Sequence, residues 1–409
     1  MEYFDTLETR SQEDRERQQM TALPSLIGFA KSYAPAIGEL LAGVDPEAVT
    51  SRAALAKLPV VRKSELHDRQ QALRPFGGFV GDWRGRVAHV FSSPGPIYEP
   101  EARTPDYWRT ARSLFAAGFR AGDLVHNTFS YHMTPGGWIF EAGALALGCT
   151  VFPGGVGQTE QQVQAMGELR PDGYAGTPSF LKILLEKADE LKIDLSCLKK
   201  ASVSGEAFPP SLRDWLAARG IQGYQTYATA DVGVIAYETA AREGLVIDEG
   251  VIVEIVRPGT GDPVAEGEVG EVLVTVFNRD YPLIRFATGD LSAFMPGVSP
   301  CGRTNRRIRG WMGRADQTTK IKGMFVHPSQ VSDVLKRHPE IQRARLVVDN
   351  ETGQDRMTLH CETDASDSLK ETIAASLRDV TKLRGGVSFA AAGALPNDGK
   401  VIEDVRKYD

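Results

Sequence analysis

Residues 124–176 read LVHNTFSYHMTPGGWIFEAGALALGCTVFPGGVGQTEQQVQAMGELRPDGYAG. Short β-branched or aromatic runs here alternate with longer stretches of helical period. Leu124–Phe129 has the texture of a strand, Gly136–Ala146 of a helix of small residues, and Thr150–Phe152 of a second strand. A glycine loop (Gly154-Gly155-Val156-Gly157) then leads into a helix over Glu160–Leu169 and a strand near Gly173–Ala175. The pattern continues with a helix at Ser179–Leu191 and a strand Lys200–Ser204 that feeds another helix. Strands alternating with helices predict a mostly parallel sheet covered on both faces, an α/β fold.

Working outward, Tyr107–Ala117 adds an amphipathic helix, and Arg86–Ser93 a short strand running into Ser92-Ser93-Pro94-Gly95-Pro96. The first 20 residues are polar and read as a surface helix, followed by helical pattern from Leu23 to Leu73. Beyond Gly233 the texture changes: Leu245–Ile255 and Glu268–Phe277 alternate β-branched and polar residues, predicting antiparallel strands and a small β subdomain. After Gly313 the chain reads strand, helix (Ser329–Lys336), strands (Ala344–Val348, Met357–Glu362) and helix (Leu369–Leu383). That is the scale of a separate α+β domain, giving a large domain over 1–315 and a small mobile one over 316–409.

The composition narrows the function class. Among 409 residues 42% are hydrophobic and 24% charged, enough apolar surface for a sizeable core. The 47 basic and 53 acidic residues leave a net charge of −6, which offers no global field for a nucleic acid. No run approaches a membrane span, and Met1-Glu2-Tyr3-Phe4-Asp5 is not a basic leader. The four cysteines, Cys149, Cys197, Cys301 and Cys361, form no CxxC pair, so a disulfide framework and a cysteine zinc site are both unsupported. These features predict a cytoplasmic enzyme with no membrane or nucleic-acid partner.

Several segments in order carry more specific information. They are Ala22–Arg69, Thr134-Pro135-Gly136-Gly137, Thr177-Pro178-Ser179, Ser204-Gly205-Glu206 and Tyr227-Ala228-Thr229-Ala230-Asp231. They continue with Arg285-Phe286-Ala287-Thr288-Gly289-Asp290, Gly313-Arg314-Ala315-Asp316-Gln317-Thr318-Thr319-Lys320-Ile321-Lys322-Gly323 and Leu395-Pro396-Asn397-Asp398-Gly399-Lys400. Their order resembles the adenylate-forming superfamily, most closely its phenylacetate–coenzyme A ligase group, over nearly the whole chain.

The resemblance implies a site. Ser204, Gly205, Glu206, Tyr227, Ala228 and Thr229 would lie against adenine and α-phosphate, and Asp231 would help hold Mg²⁺, a hard cation that favours carboxylate oxygen. Asp231 also suits a helix cap or loop, and it stands where the group has the longer Glu. Asp290 would accept both ribose hydroxyls, since one carboxylate takes two parallel hydrogen bonds. Arg285 is open between an ion pair and a site role. Arg314 would approach ribose and phosphate, Asp316 would be the pivot between domains, and Lys320 would line the thioester-forming face. Lys400 would bridge the acyl carboxylate and α-phosphate, where a mobile point charge offsets the repulsion of two anions. Tyr131, His132, Gly136, Gly205 and Thr229 would border the acid; His132 reads equally as a substrate contact or a pocket wall.

Two further places depart from the group's pattern. The phosphate loop, Ser-Ser-Gly-Thr-Thr-Gly in the group, reads Ser92-Ser93-Pro94-Gly95-Pro96-Ile97-Tyr98-Glu99-Pro100. Ser92 and Ser93 remain, but the prolines remove N–H donors and Glu99 adds negative charge. A structural zinc site of some relatives keeps only Cys301, so no zinc is expected. The resemblance implies an AMP-forming ligase that uses ATP, Mg²⁺ and coenzyme A to activate an aromatic or aryl-acetic acid, and a homodimer. The alternatives are a degenerate member that binds a ligand without ligation, and one that adenylates and transfers to a carrier protein.

Overall fold

The computed structural model describes residues 2–93, 96–321, 324–350, 355–364, 367–396 and 400–406. The chain divides into two units. The first comprises Met1–Arg257, Gly261–Thr288 and Ala293–Trp311, and the second Pro258–Thr260, Gly289–Ser292 and Met312–Asp409.

The centre of the first unit is a nine-stranded sheet. Five strands, Thr150–Pro153, Leu124–Asn127, Gly173–Gly176, Lys200–Val203 and Gln222–Thr229, lie parallel in that spatial order. Helices Gly136–Ala146, Thr159–Leu169, Pro178–Leu191 and Pro210–Ala218 follow them in sequence. Leu181, Leu184, Leu185 and Ala188 make the buried stripe of one helix, spaced three and four apart, and pack with Val163, Met166, Ala201 and Val203. Each fully buried leucine contributes about 1.5–3 kcal/mol of transfer free energy. Antiparallel Gly233–Glu238 and Leu245–Ile247 extend the sheet.

A four-stranded sheet of Val61–Arg62, Phe286–Ser292, Gly270–Val276 and Val251–Val256 forms the β subdomain. Its Val253, Ile255, Val272 and Val274 share a core with Leu23, Leu26, Ile27 and Ala30 of the long helix Gln12–Tyr33. The second unit has its own sheet, in the order Gly386–Ala390, Arg356–Glu362, Arg343–Asp349, Ile402–Asp404, with helices Pro328–Arg337 and Asp367–Thr381. Leu346, Val348, Leu359, Ile373 and Leu377 are at its core. The α/β architecture with a β subdomain and an α+β unit is the expected one.

Two local expectations are corrected. The polar N-terminus is not simply a surface helix: Glu8 is buried against Arg303 (2.6 Å) and the Tyr237 hydroxyl (2.8 Å), and Arg15 against Glu249 (2.9 Å). Buried charge is tolerated there because each group is paired and hydrogen-bonded. Leu245–Ile255 is two strands rather than one. Asp248 interrupts it, accepting from Gly250 N–H at 2.8 Å and pairing with Arg112 at 2.9 Å and Arg109 at 3.3 Å.

Candidate active site

Ligands of open α/β sheets bind outside the carboxyl ends of the parallel strands. Each candidate segment of the first unit's sheet occupies such a position. Thr128–Pro135 follows strand Leu124–Asn127, Gly154-Gly155 follows Thr150–Pro153, and Thr177 follows Gly173–Gly176. Ser204-Gly205-Glu206 follows Lys200–Val203, and Ala230-Asp231 follows Gln222–Thr229. Segments spread over a hundred residues of sequence thus share one edge of one sheet.

In the segment that the resemblance assigns to the acid, Asn127 organises the loop, its Nδ2 donating to the Tyr131 hydroxyl and to Gly137 O, both at 2.8 Å. The Tyr131 hydroxyl donates to Glu141 Oε2 at 2.7 Å. Burial, and then the Glu141 carboxylate, push the Tyr131 phenol up, so it remains a neutral donor. A Cβ on Gly137 would lie 2.8 Å from the Tyr131 ring, so glycine is what lets this ring lie flat on the helix start. Phe129 stacks on Phe140 at 4.5 Å, and Tyr131 meets Trp138 edge-on at 5.6 Å. Gly136 opens the helix beneath Phe129, while His132 is exposed and its N–H is held by Ser130 Oγ.

In the segments that the resemblance assigns to the nucleotide, Gly205 takes a positive φ of 83° beside Thr177 and Phe129. Ser204 N–H donates to Gly176 O, and the Glu206 carboxylate accepts from Ser179 N–H at 2.6 Å, capping the helix Pro178–Leu191. The register slips between Tyr227 and Ala228, where a bulge turns the strand end. Tyr227 is buried with its hydroxyl 3.4 Å from Thr288 Oγ1, and Thr229 Oγ1 accepts from Val232 N–H. Asp231 is buried and pairs through Oδ2 with Lys63 Nζ at 2.6 Å.

The phosphate-loop segment is the turn of a hairpin, Val87–Ser93 against Ile97–Ala102; Pro94 and Gly95 lie outside the described residues. Ser92 N–H donates to Met133 O, tying the hairpin to the acid-side loop. Ser93 Oγ donates to Glu99 at 3.0 Å. Glu99 is fully buried, and burial followed by the charge of Asp231 raises its carboxyl well above the usual range.

The resemblance implies magnesium at Asp231, and the residues fit a hard cation. Asp231 Oδ1 is buried with no hydrogen-bond partner among the described residues. No group of three or more His, Cys, Asp or Glu side chains forms a metal cage among the described residues.

In the second unit, Asp290 accepts from Arg314 Nη1 at 3.0 Å, and the two residues also form a backbone bridge. Asp316 and Lys320 lie on a 3-10 turn and a strand, with side chains outside the description, as are Lys322, Gly323 and Asn397–Gly399. Lys400 is about half exposed with Glu403 at 3.5 Å. Arg285, in the first unit, is structural: it is buried, pairs with Glu254 at 3.1 Å and donates to Leu58 O and Gly261 O. Lys63 was not singled out by any motif. It opens the helix Lys63–Ala72, a common place for a solvated lysine, and its partner lies 168 residues away.

Residues 108–276 match the family model of AMP-binding enzymes. The chain is 33% identical over 368 residues to the phenylacetate–coenzyme A ligase of Aromatoleum evansii, covering 85% of this chain and 82% of that one. It is 32% identical over 381 residues to the phenylacetate–coenzyme A ligase of Thermus thermophilus, covering 88% and 84%. Among solved structures, an open conformation of 2-hydroxyisobutyryl-CoA ligase, in complex with 2-HIB-AMP and CoA, matches with a TM-score of 0.84 at 25% identity, covering 97% of this chain and 93% of that one. With about a third of the aligned residues identical over most of both chains, this protein belongs to the phenylacetate–coenzyme A ligase family of adenylate-forming enzymes.

Proposed function

We propose that this chain is an AMP-forming acid–thiol ligase that activates an aromatic or aryl-acetic acid and transfers it to coenzyme A. The observation that carries the reading is the convergence of the acid-side and nucleotide-side segments at the carboxyl ends of one parallel sheet, in a chain of this family. In the first half-reaction a carboxylate oxygen attacks the α-phosphorus of ATP and pyrophosphate leaves. In the second, the coenzyme A sulfur gives up its proton to solvent and attacks the acyl carbonyl, and AMP leaves with the former carboxylate oxygen.

The aromatic side chains Phe129, Tyr131, Trp138 and Phe140 around Gly136 and Gly137 supply flat apolar walls that favour an aryl group. Tyr131 and His132 border that pocket. Ser204, Gly205, Tyr227, Ala228 and Thr229 face adenine and α-phosphate, and Ser92 and Ser93 face the outer phosphates. Glu206 serves this set by fixing the loop through Ser179. Asp290 holds the ribose with Arg314. Lys400 offsets the charge between carboxylate and phosphate during adenylation, and Lys320 serves the thioester step after the small domain turns about Asp316. Asp231 would hold magnesium, which when bound draws charge from the phosphates.

Pyrophosphate release on adding ATP to benzoate, phenylacetate and indole-acetate, with and without coenzyme A, tests this. Release with at least one of them, followed by a thioester only when coenzyme A is present, supports the reading. No release with any acid would favour a member that binds its ligand without ligation. Release that never leads to a coenzyme A thioester would favour a carrier-protein acceptor.

A further inference from the structure

Glu99 has no counterpart in the motifs, yet it is fully buried within the nucleotide side of the first unit. It lies opposite Phe91 in the hairpin, and its Oε1 is held by Ser93 Oγ at 3.0 Å. Its Oε2 has no hydrogen-bond partner among the described residues. The carboxyl lies within hydrogen-bonding range of the Asp231 carboxyl. Asp231 Oδ2 accepts from Lys63 Nζ at 2.6 Å, and its Oδ1 has no partner among the described residues. The Tyr281 hydroxyl is buried and without a hydrogen-bond partner among the described residues, and it lies near enough to Glu99 to feel its charge. Unpartnered oxygens from three separate segments therefore meet in one interior spot.

Two adjacent buried carboxylates need positive charge between them. With both ionised, Glu99, Asp231 and Lys63 sum to −1, which would repel a phosphate. A shared proton brings the sum to zero and serves one oxygen pair. A divalent cation brings it to +1, and hard cations take oxygen ligands of this kind. Positive charge is what this end of the site lacks. Pro94 and Pro96 remove two N–H donors from the segment that would otherwise cradle phosphates.

We propose that Glu99 joins Asp231 as a ligand of one divalent cation, magnesium among the abundant candidates, with the Tyr281 hydroxyl orienting the Glu99 carboxylate. The hairpin thus supplies a cation ligand in place of lost phosphate donors. The value of the cation to catalysis rests on the proposed nucleotide site, whereas its ligands rest on the buried, unsatisfied oxygens of Glu99 and Asp231 among the described residues and on the interaction between the two carboxyls.

The test uses the full chain without ATP, acid or coenzyme A. Free Mn²⁺ is followed by electron paramagnetic resonance during titration, with Mg²⁺ as competitor, and the thermal midpoint is measured with and without Mg²⁺. The expected result is about one Mn²⁺ bound per chain, displaced by Mg²⁺, and a higher midpoint in Mg²⁺. Glu99→Gln and Asp231→Asn should each weaken Mn²⁺ binding at least about tenfold, and Glu99→Asp should recover part of the loss. The parent measurements stand even if a variant fails to fold. No Mn²⁺ bound by the parent, or equal binding by a folded Glu99→Gln, would overturn the proposal in favour of a shared proton. Ligation without this cation binding would defeat only the present inference, and cation binding without pyrophosphate release only the functional reading.

Discussion

Asp290 follows Gly289, whose φ is +76° and where a Cβ would come within 2.6 Å of Arg314 Nη2. The glycine is thus required for the close approach of Arg314 to the Asp290 carboxylate. If that carboxylate holds the ribose, Asp290→Ala should weaken AMP and ATP alike, by about 10- to 100-fold for loss of charge-assisted hydrogen bonds. Calorimetry with both nucleotides checks this, and unchanged AMP affinity at unchanged stability would show the assignment to be wrong. Lys400 is placed differently, half exposed beside Glu403. Lys400→Ala should lower acyl-adenylate formation by at least about 100-fold while sparing thioester formation from supplied acyl-adenylate. Equal loss in both half-reactions, measured separately, would contradict that role. At this scale the sequence names candidates where a residue type and its neighbours form a motif, as at Asp290 and Lys400. It was silent where the partner is remote: nothing near Arg285 announces Glu254, Leu58 O and Gly261 O, and nothing near Lys63 announces Asp231.

Among elements, the crossover helices were legible because their apolar spacing is local, as in Leu181, Leu184, Leu185 and Ala188. The break at Asp248 was not, because its partners Arg109 and Arg112 are more than a hundred residues away. The helix Thr110–Ala116 depends on another acid, Asp106, which accepts from Thr110 N–H at 2.7 Å and Ala111 N–H at 3.1 Å. Burial raises the Asp106 carboxyl to about 6 in spite of these bonds. The unfolded chain ionises near the ordinary aspartate value of about 4, while the folded chain keeps its proton to about 6. Stability should therefore fall as pH rises from about 4 to 6 and level off above that, by on the order of 2 kcal/mol from this group. Asp106→Asn keeps an acceptor for both N–H groups and tolerates the positive φ of 48°. Denaturant titrations across this pH range should show the variant with the flatter curve; parallel curves would mean that Asp106 ionises normally in the fold.

For the whole molecule, the order of the segments at Thr128–Pro135, Thr177, Ser204-Gly205-Glu206 and Ala230-Asp231 was readable because each follows a parallel strand of one sheet, and such ends are where the sheet presents its loops. A change of texture beyond Gly313 was legible in the sequence, and the second unit has its own core of Val331, Leu346, Leu359 and Leu377. The contribution of Gly289–Ser292 to that unit was not, because it is a spatial grouping of a short strand end. The central claim concerns bonds rather than the acid, and it can be tested with any acid that releases pyrophosphate. A single turnover with the carboxylate labelled in both oxygens by ¹⁸O, in the presence of ATP and coenzyme A, follows one oxygen through both half-reactions. Attack on the α-phosphorus predicts one ¹⁸O in the phosphate of AMP and one retained in the thioester carbonyl. Label in orthophosphate or pyrophosphate, or AMP carrying no label, would contradict an acyl-adenylate route.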